Sequence, residues 1–207
     1  MDFFELANAR HSVRIYQPGV EISDAELKKI FTTTLLSPSS FNIQHSKFVV
    51  VRDQASKAAL RCISFGQAQV EDAAAVVLVC GRLDAYHDAA RLYRDADAAA
   101  QEKYVPMIDS VYKGQPALQR EEAVRSASLS AMSLMYAAKA GGWDSGPMIG
   151  FDAEKVGTML KLDGNTVPVM MIVIGKALAG KQPTRGYRRP LDEVVKLETL
   201  DGPSLAS

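Results

Sequence analysis

The sequence predicts one domain of mixed helix and strand, and three observations support this. Short runs at Phe48–Val51, Ala75–Gly81 and Val169–Gly175 are apolar and rich in branched side chains, as interior strands are. Capped, periodic stretches between them read as helices. At 207 residues and 47% apolar composition, the chain can bury a full core without disulfides, as one domain or one domain with an insertion.

The elements follow in order. Asp2 caps a short helix carrying Phe3, Phe4, Leu6 and Ala7 that ends near His11. Val13–Tyr16 is extended and closed by Pro18-Gly19. Ser23 and Glu26 form a capping box. The helix behind it is expected to reach Leu36, with Leu27, Ile30, Phe31 and Leu35 on one face. Pro38 stops it, and Ser37–His45 is a polar loop before the first strand. Asp53 caps a helix to about Ser64, and the second strand follows.

Between Asp84 and Glu122 the helical spacing is weak and is interrupted by Pro106, Gly114 and Pro116. This reads as an insertion or lid at about 84–119, with Tyr93, Tyr104 and Tyr112 either part of it or packing residues. Arg120–Ala140 is apolar or small nearly all round, so it is a helix buried in a core or between subunits. Gly141-Gly142 ends it. In Gly146-Pro147-Met148-Ile149-Gly150, two glycines around a proline suggest backbone exposed to a close neighbour. Asp152 caps a last clear helix through Val156, Met159 and Leu160, and Pro168 opens the third strand. The tail is basic at Arg185, Arg188 and Arg189. Its Leu191, Val194, Val195 and Leu197 need burial, with another chain as one means.

Composition narrows the function. Lys+Arg and Asp+Glu are equal at 24 each, which argues against bulk binding of nucleic acid or anionic membrane but allows a local cationic pocket. No apolar run approaches the roughly 20 residues of a membrane helix. The first residues lack a signal peptide's pattern, so a cytoplasmic location is expected. Cys62 and Cys80 read as buried, reduced thiols, and no metal-ligand spacing is present.

Three stretches are able to converge on one ligand. Arg10-His11-Ser12-Val13-Arg14 sets two guanidinium forks beside a hydroxyl and an imidazole. Ser39, Ser40, Asn42 and Gln44 supply hydroxyls and amides, and Arg188-Arg189 adds a second cationic pair. Taken singly, the first cluster fits a solvated helix end as well as an anion site, and the amide loop fits simple turn chemistry. Gln67 and Gln69 read on their own as surface residues, and His45 as surface or packing. Together the pieces suggest a cradle for an anionic heteroaromatic cofactor. There is no GxGxxG, no GxxxxGK[ST] and no GxSxG, so the usual nucleotide loops and the nucleophile elbow are absent.

Four motifs in this order resemble the FMN-dependent nitroreductases, over nearly the whole chain. They are Arg10-His11-Ser12-Val13-Arg14-x-Tyr16, Ser37-Pro38-Ser39-Ser40-Phe41-Asn42-x-Gln44, Gly146-Pro147-Met148-Ile149-Gly150 and Arg188-Arg189-Pro190. Phe65-Gly66-Gln67-x-Gln69 is similar to the branch that reduces quinones and nitro compounds. The resemblance implies an α+β fold with a central mixed sheet flanked by helices, in an intertwined homodimer with FMN at the interface. It implies that Arg10, Ser12 and Arg188 hold the phosphate and that Arg14 and Gln69 lie near the pyrimidine edge. It implies that Ser39, Ser40 and Asn42 reach the cofactor from the partner chain, and that Pro147, Met148, Ile149 and Gly150 form the loop facing flavin N5. His11, Gln44, Gln67 and Arg189 complete the expected binding set.

The expected activity is transfer of hydride from NADH or NADPH through flavin N5 to a nitroaromatic, quinone or related small-molecule acceptor. Arg14 would tune the flavin, and the backbone of Ile149 and Gly150 would serve N5. The protein supplies position and electrostatics to a cofactor that carries the redox chemistry. The alternatives are a flavin-binding regulatory or storage protein with little turnover, and a dehalogenase or enoate reductase on the same fold. Two departures stand out. Some members carry Glu near the N5 loop where this chain has Ile149. Some have a basic phosphate contact at the position of Gly186, where Arg185 or Arg189 would have to compensate.

Overall fold

The computed structural model describes residues 2–205. Its centre is a four-stranded sheet of β1 (Ser46–Val51), β2 (Ala75–Arg82), β3 (Asp144–Met148) and β4 (Thr166–Gly175), in the order β1-β2-β4-β3. All three pairings are antiparallel, and the mixed character is confined to a parallel bridge between Ser12 and Ser145.

β2 is apolar at nearly every position because both of its faces are covered. Ala75, Val77 and Val79, with Ile172 and Ile174 of β4, pack on one side against Leu27, Ile30, Ala127, Ala131 and Leu134. Those helical residues belong to α2 (Asp24–Thr34) and α7 (Pro116–Ala140). Val76, Leu78 and Cys80, with Met171 and Val173, face Val13, Tyr16, Leu60, Val70 and Val156. That layer includes α3 (Gln54–Cys62), α4 (Ala68–Asp72) and α8 (Ala153–Met159). The strand period of two thus divides one continuous apolar run between two cores.

The caps form as the residue types require. Asp2 and Glu5 close a capping box on α1 (Phe3–Ala9), and Ser23 and Glu26 do so on α2. Asp53 and Asp152 cap α3 and α8.

Several expectations are corrected. α2 ends at Thr34, and Leu35 stands exposed instead of joining the buried face; Cys62, the last residue of α3, is likewise exposed, and of the two cysteines Cys80 alone is buried. α7 begins at Pro116, because proline in a first turn loses no helical hydrogen bond. Pro106 lies inside α6 (Ala98–Tyr112) and does not end it. The cost of about 3 kcal/mol for an interior proline is offset by a third apolar cluster. Ile108 and Tyr112 pack there with Ile43, Ala85, Tyr86 and Ala89, and Tyr93 and Tyr104 pack against them. A 3-10 turn (Ala85–Asp88) and α5 (Ala89–Leu92) complete that unit.

β3 was expected as an irregular loop and α4 not at all. β3 tolerates Pro147 because it is an edge strand. After β4 the chain runs exposed through residues 183–194, with one short helix, α9 (Leu191–Val194). Among the described residues no helix is long and apolar enough to cross a membrane.

Candidate cofactor site

The Arg10–Arg14 segment is held to the sheet by its apolar members. Val13 and Tyr16 are fully buried, and the Val13 N–H donates to the Ser145 carbonyl at 3.0 Å. The Tyr16 hydroxyl donates to the carbonyls of Val13 at 3.1 Å and Val173 at 3.3 Å. Burial, with Asp144 second, raises the Tyr16 phenol far above its usual range, so it stays a donor. Position 146 must be glycine, since a Cβ there would fall on the Val13 carbonyl oxygen. With residues 13 and 16 turned inward, Ser12 and Arg14 face outward.

The far end of the chain is tied to the same segment. Gln182 Nε2 donates to the Ile15 carbonyl at 2.6 Å, and the Arg185 guanidinium donates to the Arg10 carbonyl at 2.8 Å. Two cavities of about 300 Å³ each result. One is lined by His11, Ser12, Arg14, Arg185, Gly186 and Arg188, the other by Ser12, Arg14, Gln67, Gln69 and residues 146–150. They share Ser12 and Arg14, so they form one groove with a cationic end and an amide-lined end.

The cationic end lacks counter-charge. Arg14, Arg185 and Arg188 line it, whereas Arg10 stands behind Arg185 and lines neither cavity; among the described residues, no carboxylate lies within ion-pair distance of any of the four. Burial, then repulsion from Arg185, pulls the Arg10 guanidinium below its usual value; Tyr136 opposes this, and Arg188 adds the least. Like charges gathered around a cavity form a site for an anion.

At the other end, Gln67 Nε2 donates to the Gly150 carbonyl at 2.7 Å and to the Ser64 carbonyl at 3.1 Å. A Cβ on Gly150 would lie 2.9 Å from that nitrogen. Gln69 Nε2 donates to Gln67 Oε1 at 3.1 Å. With the Gly150 carbonyl taken, the N–H groups of Ile149 and Gly150 remain, and neither bonds to protein among the described residues. The Ile149 side chain is 79% exposed beside them.

Other expected residues lie elsewhere. Ser39, Ser40, Asn42 and Gln44 line neither cavity and sit against the third apolar cluster. Arg189 pairs with Glu193 at 3.2 Å and lines neither cavity, while Arg185 faces the groove. Arg185 was named in the sequence only as a substitute contact; its signal was its place three residues before Arg188 in the basic tail. His45 is buried with Nδ1 bonded to the Arg82 carbonyl at 2.9 Å, so it is a packing residue. A larger cavity of about 450 Å³ contains Arg52, Asp53 and Lys57. Three of its four charged groups are already engaged, leaving Glu21: Arg52 with Asp24 at 2.7 Å, Asp53 as a helix cap, and Lys57 on the Ala73 carbonyl. Among the described residues no group of three His, Cys, Asp or Glu is placed to hold a metal.

Comparison with known proteins identifies the family. The model of the nitroreductase family matches residues 7–176. MhqN of Bacillus subtilis (strain 168), provisionally named an NAD(P)H nitroreductase, is 40% identical over 202 residues, covering 94% of this chain and 98% of MhqN. The crystal structure of Bacillus subtilis ydfN, provisionally named a nitroreductase, superposes with a TM-score of 0.91 at 40% identity, covering 94% of this chain and 97% of that one. A provisionally named nitroreductase from Exiguobacterium sibiricum 255-15, solved in complex with FMN, has a TM-score of 0.86 at 29% identity, covering 95% and 97%. This chain belongs to the nitroreductase family.

Proposed function

We propose that this protein is an FMN-dependent NAD(P)H oxidoreductase whose acceptors are nitroaromatics, quinones or related electrophiles. The observation that carries the reading is the pair of adjoining cavities, with uncompensated arginines in one and free backbone N–H groups in the other. FMN has a phosphate at one end and a hydride-accepting ring with hydrogen-bond acceptor atoms at the other, and a relative of the same fold binds it. When bound, FMN supplies the two-electron transfer between nicotinamide and acceptor.

The chain's own residues then have distinct tasks. Arg10, Ser12 and Arg188 hold the phosphate, with Arg185 in place of Arg189 as the additional cation. Arg14 sets a fixed positive charge beside the pyrimidine edge, with Gln69. The N–H groups of Ile149 and Gly150 donate at the ring centre, and Gln67 holds that backbone still. The exposed Ile149 leaves an apolar, open face for donor and acceptor in turn.

The working unit in this reading is a homodimer. Leu191, Val194 and Leu200 stand 46%, 55% and 96% exposed on a tail that finds no core of its own. Ser39, Ser40 and Asn42 then serve the partner's groove. The segment 84–119 is an insertion in a single domain, and the cytoplasm, which holds the nicotinamide donors, is its location. The test is anaerobic mixing of the purified, FMN-loaded protein with NADH and with NADPH, followed by a panel of acceptors. Bleaching of the flavin bands and their return on adding a quinone or nitroaromatic is the expected result. A protein that takes up no flavin from excess FMN contradicts it.

A further inference from the structure

The loop of residues 39–44 has an uncommon backbone. Phe41, Asn42 and Gln44 take φ values of 50°, 54° and 58°, in the left-handed region that non-glycine residues rarely occupy. Such a conformation persists only where the surroundings over-determine it. The surroundings here are tyrosines of the 84–119 segment. The Tyr112 hydroxyl donates to Ser40 Oγ at 3.0 Å, and its buried ring meets Phe41 edge-on with centroids 6.4 Å apart. Tyr86 stacks behind it at 5.9 Å. The Tyr93 hydroxyl donates to the Phe41 carbonyl at 3.1 Å. Within the loop, the Gln44 N–H donates to Ser39 Oγ at 2.9 Å.

Each of these bonds occupies an acceptor on the loop. A serine hydroxyl that accepts still has its own hydrogen to give. Among the described residues, neither Ser39 nor Ser40 gives its hydrogen to protein. Burial pushes the Tyr112 phenol above its ordinary value despite the bond to Ser40, so it keeps its hydrogen at neutral pH.

We propose that Tyr112 and Tyr93 are positioning residues that lock this loop and make it a hydrogen-bond donor, so that it selects an oxygen-rich edge of the cofactor. The inference rests on the reading that the loop touches FMN held by the partner. It assigns the 84–119 segment a task as a buttress of the site. Tyr112→Phe removes one hydroxyl and keeps the ring. It frees the Ser40 hydroxyl to rotate and turn its lone pairs outward.

The experiment titrates the full-length apoprotein with FMN, reading quenching of flavin fluorescence. The proteins are wild type, Tyr112→Phe, Ser40→Ala, the double variant, Tyr93→Phe and Asn42→Ala. Loss of one well-made hydrogen bond predicts about tenfold weaker FMN binding for Tyr112→Phe and for Ser40→Ala. The double variant should bind no more weakly than Ser40→Ala alone, a coupling that general destabilisation would not produce. Tyr93→Phe should weaken binding and speed amide exchange at residues 41–44. Should Tyr112→Phe fail to fold, Tyr93→Phe and the exchange measurement carry the test. Wild-type affinity in both tyrosine variants, with Asn42→Ala weakened, overturns the buttress but keeps the loop at the cofactor. Additive losses in the double variant overturn it as well. Wild-type affinity in both Ser40→Ala and Asn42→Ala removes the loop from the site, and the proposal fails with that reading.

Discussion

The sheet and the tail both carry large apolar side chains, yet these reach opposite ends. Residues 75–81 of β2 are buried at every position, divided between two cores. Residues 183–194 are exposed throughout, although Leu191 and Val194 are as apolar as anything in β2. The difference is coverage. β2 has neighbours on both edges and helices on both faces, whereas the tail is anchored by Gln182 and Arg185 and then leaves the sheet. One chain is therefore enough to build the core, while in our reading the groove is completed by a second copy.

The largest effect is expected in the core. Ile172→Ala removes a fully buried side chain from β4 and should lower unfolding free energy by about 2–5 kcal/mol in a denaturant titration. A smaller loss than that of an exposed-site substitution would mean that the core is not continuous there.

The tail should respond in association instead. Leu191→Asp with Val194→Asp should weaken self-association by at least about thirtyfold, the scale of a disrupted interface anchor. Light scattering across a dilution series reads it. A wild-type protein that is monomeric and flavin-loaded at micromolar concentration ends the dimer reading.

The groove separates two adjacent arginines. Arg188→Ala should weaken FMN binding about tenfold to a hundredfold, since a hydrogen bond to a charged group contributes roughly 1.5–3 kcal/mol. Arg189→Ala should do much less, because that guanidinium is paired with Glu193. Equal effects in a flavin titration would refute the division.

Arg14 is expected to act on potential more than on affinity. Reduction places negative charge on the pyrimidine edge, so a nearby cation binds the reduced form more tightly and raises the midpoint potential. Arg14→Gln should lower it by a few tens of millivolts, at about 1.4 kcal/mol per 30 mV for two electrons. Identical redox titrations for both proteins would remove Arg14 from this role.

The smallest effect concerns pH. Burial outweighs the Arg82 carbonyl bond and holds His45 below its ordinary value of 6.5. The unfolded chain therefore binds a proton that the folded chain refuses. The resulting stability is complete above the unfolded value and is lost as pH falls through 6.5 towards the folded one. His45→Gln should flatten the fall in denaturation midpoint between pH 7 and pH 5.5. An unchanged slope would show that other groups set it.

Much of the fold was legible in the chain. The caps at Asp2, Ser23, Asp53 and Asp152 each place a side-chain oxygen at the first turn of a helix, a local matter that residue type decides. The interior of β2 was legible because burial on both faces leaves a continuous apolar run. The motifs at 10–14, 37–44, 146–150 and 188–190 pointed to the family because their order along the chain carries information that each lacks alone.

Tertiary structure decided the rest. Asp-Ser-Gly-Pro-Met has no strand propensity and becomes β3 only because β4 offers it an edge. Pro106 stays within α6 because the apolar cluster around Tyr112 outweighs one missing hydrogen bond. Arg189 is taken by Glu193 four residues on, whereas Arg185 reaches the groove through its bond to the Arg10 carbonyl, 175 residues away in the chain. Local chemistry fixes caps, turns and strand interiors. Pairing between distant segments fixes which charges gather in one place, and the gathered charges define the site.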